Sequence, residues 1–112
     1  MSSENRTPDR VLSSLGLAKR AGKTVTGTQQ VQDAVRQGKA LMVIAASDIS
    51  AGSKKKLTNT CEYYGAELTF YSDMQTLSDA LGMKKFTTSV AITDENFKIL
   101  IKKQLSVITE ND

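Results

Sequence analysis

Apolar residues recur along this chain at two alternating periods, one of three to four residues and one of two. The blocks are separated by glycines and short capping residues. Thr7-Pro8-Asp9 reads as a helix start, with Thr7 as N-cap, Pro8 in the first helical position and an acid in the first turn. Val11, Leu15 and Ala18 then share one stripe with Leu12 beside it. Lys19 and Arg20 fall in the last turn, and Gly22 can take the left-handed stop. Gly16 inside this helix costs about 1 kcal/mol relative to alanine, which implies close packing of the helix backbone on a neighbour. A short extended stretch, Lys23 to Thr26, leads through Gly27 into a second helix over Thr28–Gln37. That helix turns Val31, Ala34 and Val35 inward and stops at Gly38.

Ala40 to Ala46 is apolar on both alternating faces, the pattern of a central strand covered on both sides. Ser50 caps a third helix reaching Tyr64, with Leu57, Cys61 and Tyr64 on one face and Gly65 as its stop. Glu67 to Tyr71 alternates like a strand, with Leu68 and Phe70 singled out on its apolar positions. Ser72-x-x-Gln75 reads as a capping box for a fourth helix, with Met74, Leu77 and Leu81 inward and Gly82 as its stop. Thr88 to Thr93 is a further strand with Val90 and Ile92 on one face. Asp94 caps a fifth helix carrying Phe97, Leu100 and Ile101. Residues 1–6 and 109–112 read as frayed ends. The pattern predicts one domain over 1–112, a three-layer α/β/α sandwich beginning with a helix. It has five helices and a mixed, mostly parallel sheet of about four strands, the 40–46 strand central.

Composition narrows the chemistry. At 112 residues, 39% hydrophobic and 24% charged, the chain is long enough for one core. It has no His and one Cys, Cys61, which excludes Ser-His-Asp and Cys-His nucleophile systems, His-ligated metal sites, cysteine zinc sites and an internal disulfide. The 40–46 run is its longest apolar one, far short of the ~20 residues a membrane span needs. The expectation is a cytoplasmic, non-enzymatic protein with no metal, cofactor or membrane partner. Asp48, just past the central strand, is the best placed carboxylate for an enzyme, but in Ser47-Asp48-Ile49-Ser50 it reads better as a turn residue.

Charge adds a direction. Of a net +3, residues 1–56 carry ten basic and four acidic side chains, and residues 57–112 five basic and eight acidic. Such asymmetry suits a polyanionic partner, although solvated helix faces produce it too. Two segments carry the nucleic-acid reading. In the first, Gly27 lets backbone approach a helix start whose free N–H groups face outward. Thr28, Gln29 and Gln30 occupy that first turn, the two amides being suited to base edges, with Lys23 upstream for phosphate. In the second, Gly82 to Thr88, Lys84 and Lys85 sit beside Met83, Phe86 and Thr87 outside any core stripe, a combination that stacks on an unpaired base and neutralises its phosphate. The Lys54–Lys56 triplet is a weaker signal, and Tyr63 and Tyr64 read as a half-buried helix face. A protein-interaction module without RNA binding accounts for the same residues. The two readings separate by salt, since phosphate contacts weaken steeply as salt rises.

The run LGLAKRAGKTVTGTQQVQDAVRQGKALMVIAASDIS resembles the YlxQ-like bacterial branch of the ribosomal kink-turn RNA-binding protein superfamily. The likeness continues through KKKLTNTCEYYGAEL and TLSDALGMKKFTTSVAITDENF and covers about Val11 to Phe97. The resemblance implies an α/β/α sandwich that binds a kinked RNA helix with sheared G·A pairs, in ribosomal or other structured RNA. It implies that Gly27 and Thr28 precede a recognition helix, that Gln29 and Gln30 hold the base-reading positions, and that Lys85 is the basic loop residue. Met83, Phe86 and Thr87 would be apolar contacts. Asp33 stands where the family has a Lys, and Ser50 where some members have an acid that meets an extruded nucleotide. Arg36 is the candidate to replace the missing cation.

Overall fold

The computed structural model describes residues 9–110. In chain order these form α1 (Arg10–Arg20), β1 (Thr24–Thr26), α2 (Thr28–Arg36), β2 (Met42–Ala45), α3 (Ala51–Tyr64), β3 (Glu67–Phe70), α4 (Met74–Ala80), β4 (Ser89–Ile92) and α5 (Glu95–Glu110). The alternation of five helices with four strands matches the sequence pattern. The sheet order is β1-β4-β2-β3, so β2 is paired on both sides, and all four of its residues are buried. α1 packs on α4 and α5 while α2 packs on α3, which puts a helical layer on each side of the sheet. The core joins Val11, Leu15 and Ala18 of α1, Val31, Ala34 and Val35 of α2, and Ile101 of α5 to the buried strands β2 and β4.

Strand direction corrects one expectation. β2 and β3 are parallel, but β4 runs antiparallel to both β2 and β1, so the mixed sheet is mostly antiparallel by pairing rather than mostly parallel. The cause is one strand. β1, β2 and β3 all run the same way, and β4 alone is reversed and lies between β1 and β2. α4 is only seven residues, and the chain re-enters the sheet at the end where β3 left it: Phe70 and Ser89 both sit opposite Ala45.

Helix starts also shift. Asp9 is the N-cap of α1, its carboxylate accepting from the Leu12 N–H at 2.9 Å, in place of Thr7; Thr7 and Pro8 lie outside the described residues. Asp73, not Ser72, caps α4 by accepting from the Thr76 N–H at 2.7 Å, and Ser72 takes a positive φ of 65°. Ser50 and Asp94 cap as expected, to Ser53 and Phe97. α5 continues through Glu110, so the frayed end expected from 109 is helical there; Asn111 and Asp112, like residues 1–6, lie outside the described residues. Tyr64 and Leu100, expected inward, are 47% and 40% exposed, because each lies at the edge of its helix's apolar stripe. Gly16 behaves as its position implied: a Cβ there would lie 2.7 Å from the Ala80 carbonyl oxygen, so α1 rests directly on the end of α4.

Candidate nucleic-acid interface

The register places three connections at one end of the sheet. Thr26 at the end of β1 is opposite Val90, and Ala45 at the end of β2 is opposite Ser89 at the start of β4. The start of α2, the loop from Gly82 to Thr88 and the turn from Ser47 to Ser50 therefore converge.

Gly27 makes the entry to α2 with φ of +100°, a region that favours glycine, and its side-chain-free backbone has the Gln30 amide folded over it. The Gly27 N–H donates to Thr87 Oγ1 at 3.2 Å, and the Thr28 and Thr88 hydroxyls share a hydrogen bond of 2.7 Å. Thr87 is 3% exposed. Its hydroxyl donates to the Ser89 carbonyl at 2.9 Å while its own N–H donates to Ser78 Oγ of α4 at 2.8 Å. One buried residue thus ties the start of α2 to β4 through its side chain and to α4 through its backbone N–H. This corrects the expectation that Thr87 is an apolar surface contact.

The remaining expected residues divide cleanly. Thr28, Gln29, Gln30, Lys84 and Lys85 are exposed, and Phe86 is 62% exposed, held in solvent rather than folded into the core. Met83 is half-buried and packs against the core, supporting the loop from beneath instead of presenting a free face. Lys23 is exposed but precedes Thr24, which pairs with Ile92 at the opposite end of β1, so the structure does not bring it to Gly27. Gln29 Nε2 donates to Asp33 Oδ1 at 3.0 Å, and Arg36 pairs with the same oxygen at 3.2 Å. Arg36 is therefore engaged by Asp33 rather than free to replace a missing cation.

Outside this cluster, Asp48 Oδ1 accepts from the Met74 N–H at 2.9 Å, fastening the β2–α3 turn to the start of α4 in the turn role its context suggested. Lys54 lies 5.7 Å from the Phe70 ring centre, turned toward the β3 edge. Tyr63 is 82% exposed, not half-buried as expected, with its ring edge-on to Tyr64 at 4.9 Å. Burial pushes the Cys61 thiol up, which keeps it neutral. Among the described residues no three His, Cys, Asp or Glu side chains gather as a metal site requires, and no helix is long and apolar enough to cross a membrane. Sequence reading missed Thr88 and Gln32, both beside the junction; the paired threonines ahead of β4 and a glutamine next to the inward stripe of α2 were the available signals.

The family model of the ribosomal protein L7Ae/L30e/S12e/Gadd45 family matches residues 9–101. RNA-binding protein YlxQ of Bacillus subtilis (strain 168) is 35% identical over 83 residues, covering 74% of this chain and 82% of that protein. Among solved structures, a protein with unknown function from Bacillus halodurans superposes with a TM-score of 0.82 at 32% identity, over 88% of this chain and 98% of that one. The Giardia lamblia 15.5kD RNA binding protein shares the fold, with a TM-score of 0.74 at 18% identity over 89% of this chain and 85% of that one.

Proposed function

The chain belongs to the ribosomal protein L7Ae/L30e/S12e/Gadd45 family, and from that premise we propose that it binds structured, kinked RNA through the start of α2 and the loop before β4. A binding role rather than catalysis is proposed, with ribosomal RNA in the cytoplasm as its setting. The observation that carries the reading is the latch of Gly27 on Thr87 and of Thr28 on Thr88, which holds two segments sixty residues apart as one surface.

Each part of that surface has a distinct task. The first-turn N–H groups of α2 lack intrahelical acceptors and face a phosphate or a base edge. The exposed Gln29 and Gln30 amides each offer a donor and an acceptor for guanine and adenine edges in the distorted groove of sheared G·A pairs. Lys84 and Lys85 neutralise phosphates, and the solvent-held Phe86 ring offers an apolar face for a base that has left the stack. Asp33 holds the Gln29 amide in place at the cost of negative charge near the backbone, a cost that Arg36 offsets.

Cross-linking the protein to RNA in cells, capturing it and sequencing what is bound tests the reading. RNAs with internal loops carrying adjacent G·A pairs should be enriched. Gln30→Ala should blunt that preference, and Lys85→Ala should lower capture of all RNAs alike. Recovery no greater than that of an unrelated basic protein of equal size would refute it.

A further inference from the structure

β3 is an outer strand of the sheet, joined to β2 on one side only. The Tyr71 N–H donates to the Ala45 carbonyl at 2.8 Å, and along a parallel ladder alternate residues face the same neighbour. Glu67, Thr69 and Tyr71 therefore turn their backbone polar groups to β2. Leu68 and Phe70 turn theirs outward, where among the described residues nothing pairs with them. An edge that stays single is blunted by a proline, a bulge or a charge. β3 has no proline, its register with β2 is continuous, and its one charge is tied down: Glu67 Oε2 lies 3.3 Å from Lys98 and 3.2 Å from Lys102.

Both faces of this edge are open as well. A groove of about 290 Å³ against α3 holds Leu68 and Phe70, with Thr58 and Glu62 on its wall. A second groove, of about 500 Å³ against α5, holds Glu67, Thr69 and Tyr71. A further strand laid along β3 would find room for its side chains on either side.

The distribution of charge and apolar surface names that strand. Lys54 lies over the Phe70 end of the α3-side groove, 5.7 Å from the ring centre, while Glu62 lines the same groove beside Leu68. We propose that a second copy of this chain pairs here, β3 antiparallel to β3 about a two-fold axis at Thr69. Leu68 then stands opposite Phe70 of the other copy, and each such pair exchanges both of its N–H···O=C bonds. The 36% exposed Phe70 ring packs on a leucine, a favourable cross-strand pair. Because the axis sets each Phe70 end against a Leu68 end, Lys54 of each copy faces Glu62 of the other. The cation and the acid sit at the two positions that this one symmetry brings together. The product is a continuous eight-stranded sheet, with β1 as its outer strand at either side. The two starts of α2 point away from each other, so the dimer presents two RNA faces; that consequence rests on the RNA reading, and the pairing does not.

Sedimentation equilibrium of the full chain without RNA tests the pairing. The mass should rise with concentration from that of one chain toward that of two, half-associated at roughly 100 µM, as suits an interface at the small end of specific ones. Lys54→Glu should weaken association at least about tenfold, and adding Glu62→Lys to it should restore the loss. Thr69 meets its own counterpart in a non-hydrogen-bonded pair, about 4.5 Å between Cα atoms and within disulfide reach. Thr69→Cys should therefore cross-link two chains under mild oxidation. Glu67→Cys, on the same face but offset from its counterpart beyond that reach, should not. The proposal is overturned if the mass stays that of one chain up to about 1 mM, which leaves the edge to a strand of another protein. It is overturned equally if Thr69→Cys cross-links no faster than Glu67→Cys, or if the charge swap fails to restore association.

Discussion

Removing the Thr87 hydroxyl is the most informative single perturbation of the latch. Thr87→Val keeps shape and volume at a site 3% exposed, so packing is nearly conserved and the change falls on polar groups. Two bonds are lost, the one from the Gly27 N–H at 3.2 Å and the one to the Ser89 carbonyl at 2.9 Å. An intramolecular hydrogen bond contributes about 0.5–1.5 kcal/mol net, and a buried polar group left without a partner costs about 1–3 kcal/mol. The Gly27 site is only partly buried and water can reach its N–H, so the low end applies there and the full cost applies at Ser89. The sum is about 2 kcal/mol. For a domain of this length that corresponds to roughly 8 °C in Tm. Urea unfolding should show a lower midpoint with an unchanged slope, since the surface exposed on unfolding is the same. RNA affinity, measured where the variant is still folded, should fall as well, because α2 and the loop no longer hold a common geometry. Thr28→Val, which removes an exposed bond, should cost less than about 1 kcal/mol. A Thr87→Val variant within about 0.5 kcal/mol of the unaltered protein would refute the latch.

Gly16→Ala should destabilise by more than about 1 kcal/mol despite the better helix propensity of alanine, because the new Cβ meets the Ala80 carbonyl oxygen at 2.7 Å; calorimetry showing a higher Tm would contradict this. Burial, with the Asp9 carboxylate 2.7 Å away, raises the Tyr71 hydroxyl to about 12. Its folded value lies above the ordinary value near 10, so the stability it contributes is complete below pH 10 and is lost as pH rises through about 12. The stability of Tyr71→Phe relative to the unaltered protein should therefore become less unfavourable across that window in alkaline urea titrations. Asp33→Lys frees Gln29 and replaces an acid with a cation, so RNA titrations should show tighter binding and a steeper dependence on salt; equal affinity at low salt would place Asp33 away from the phosphate path.

What the sequence discloses depends on whether the deciding partner is near or far along the chain. The central strand was legible because every residue from Ala40 to Ala46 is apolar, and Gly65 marked a helix end because its φ of 74° is one few other residues tolerate. Helix starts slipped where neighbouring residues compete to cap, as Thr7 with Asp9 and Ser72 with Asp73. Strand direction was hidden, since helical periodicity in α4 says nothing about the end of the sheet to which the chain returns. In the candidate site, Phe86 stood out because it fits no core stripe. Thr87 was misread because its partner Gly27 is sixty residues away. Lys23 was misplaced because nearness in sequence to Gly27 spans a strand, and a strand separates what it connects.

In the proposed function, the start of α2 and the loop before β4 act together on kinked RNA. The most direct test titrates the protein against a kink-turn RNA and a straight duplex of equal length and charge, at two salt concentrations. Binding to the kinked RNA should be at least about tenfold tighter, a preference that survives the higher salt while both affinities fall. Gln30→Ala should lose about 1–3 kcal/mol on the kinked RNA alone, and Lys85→Ala should lose affinity for both. Equal affinity for the two RNAs, with Gln30→Ala indistinguishable from the unaltered protein, would contradict it.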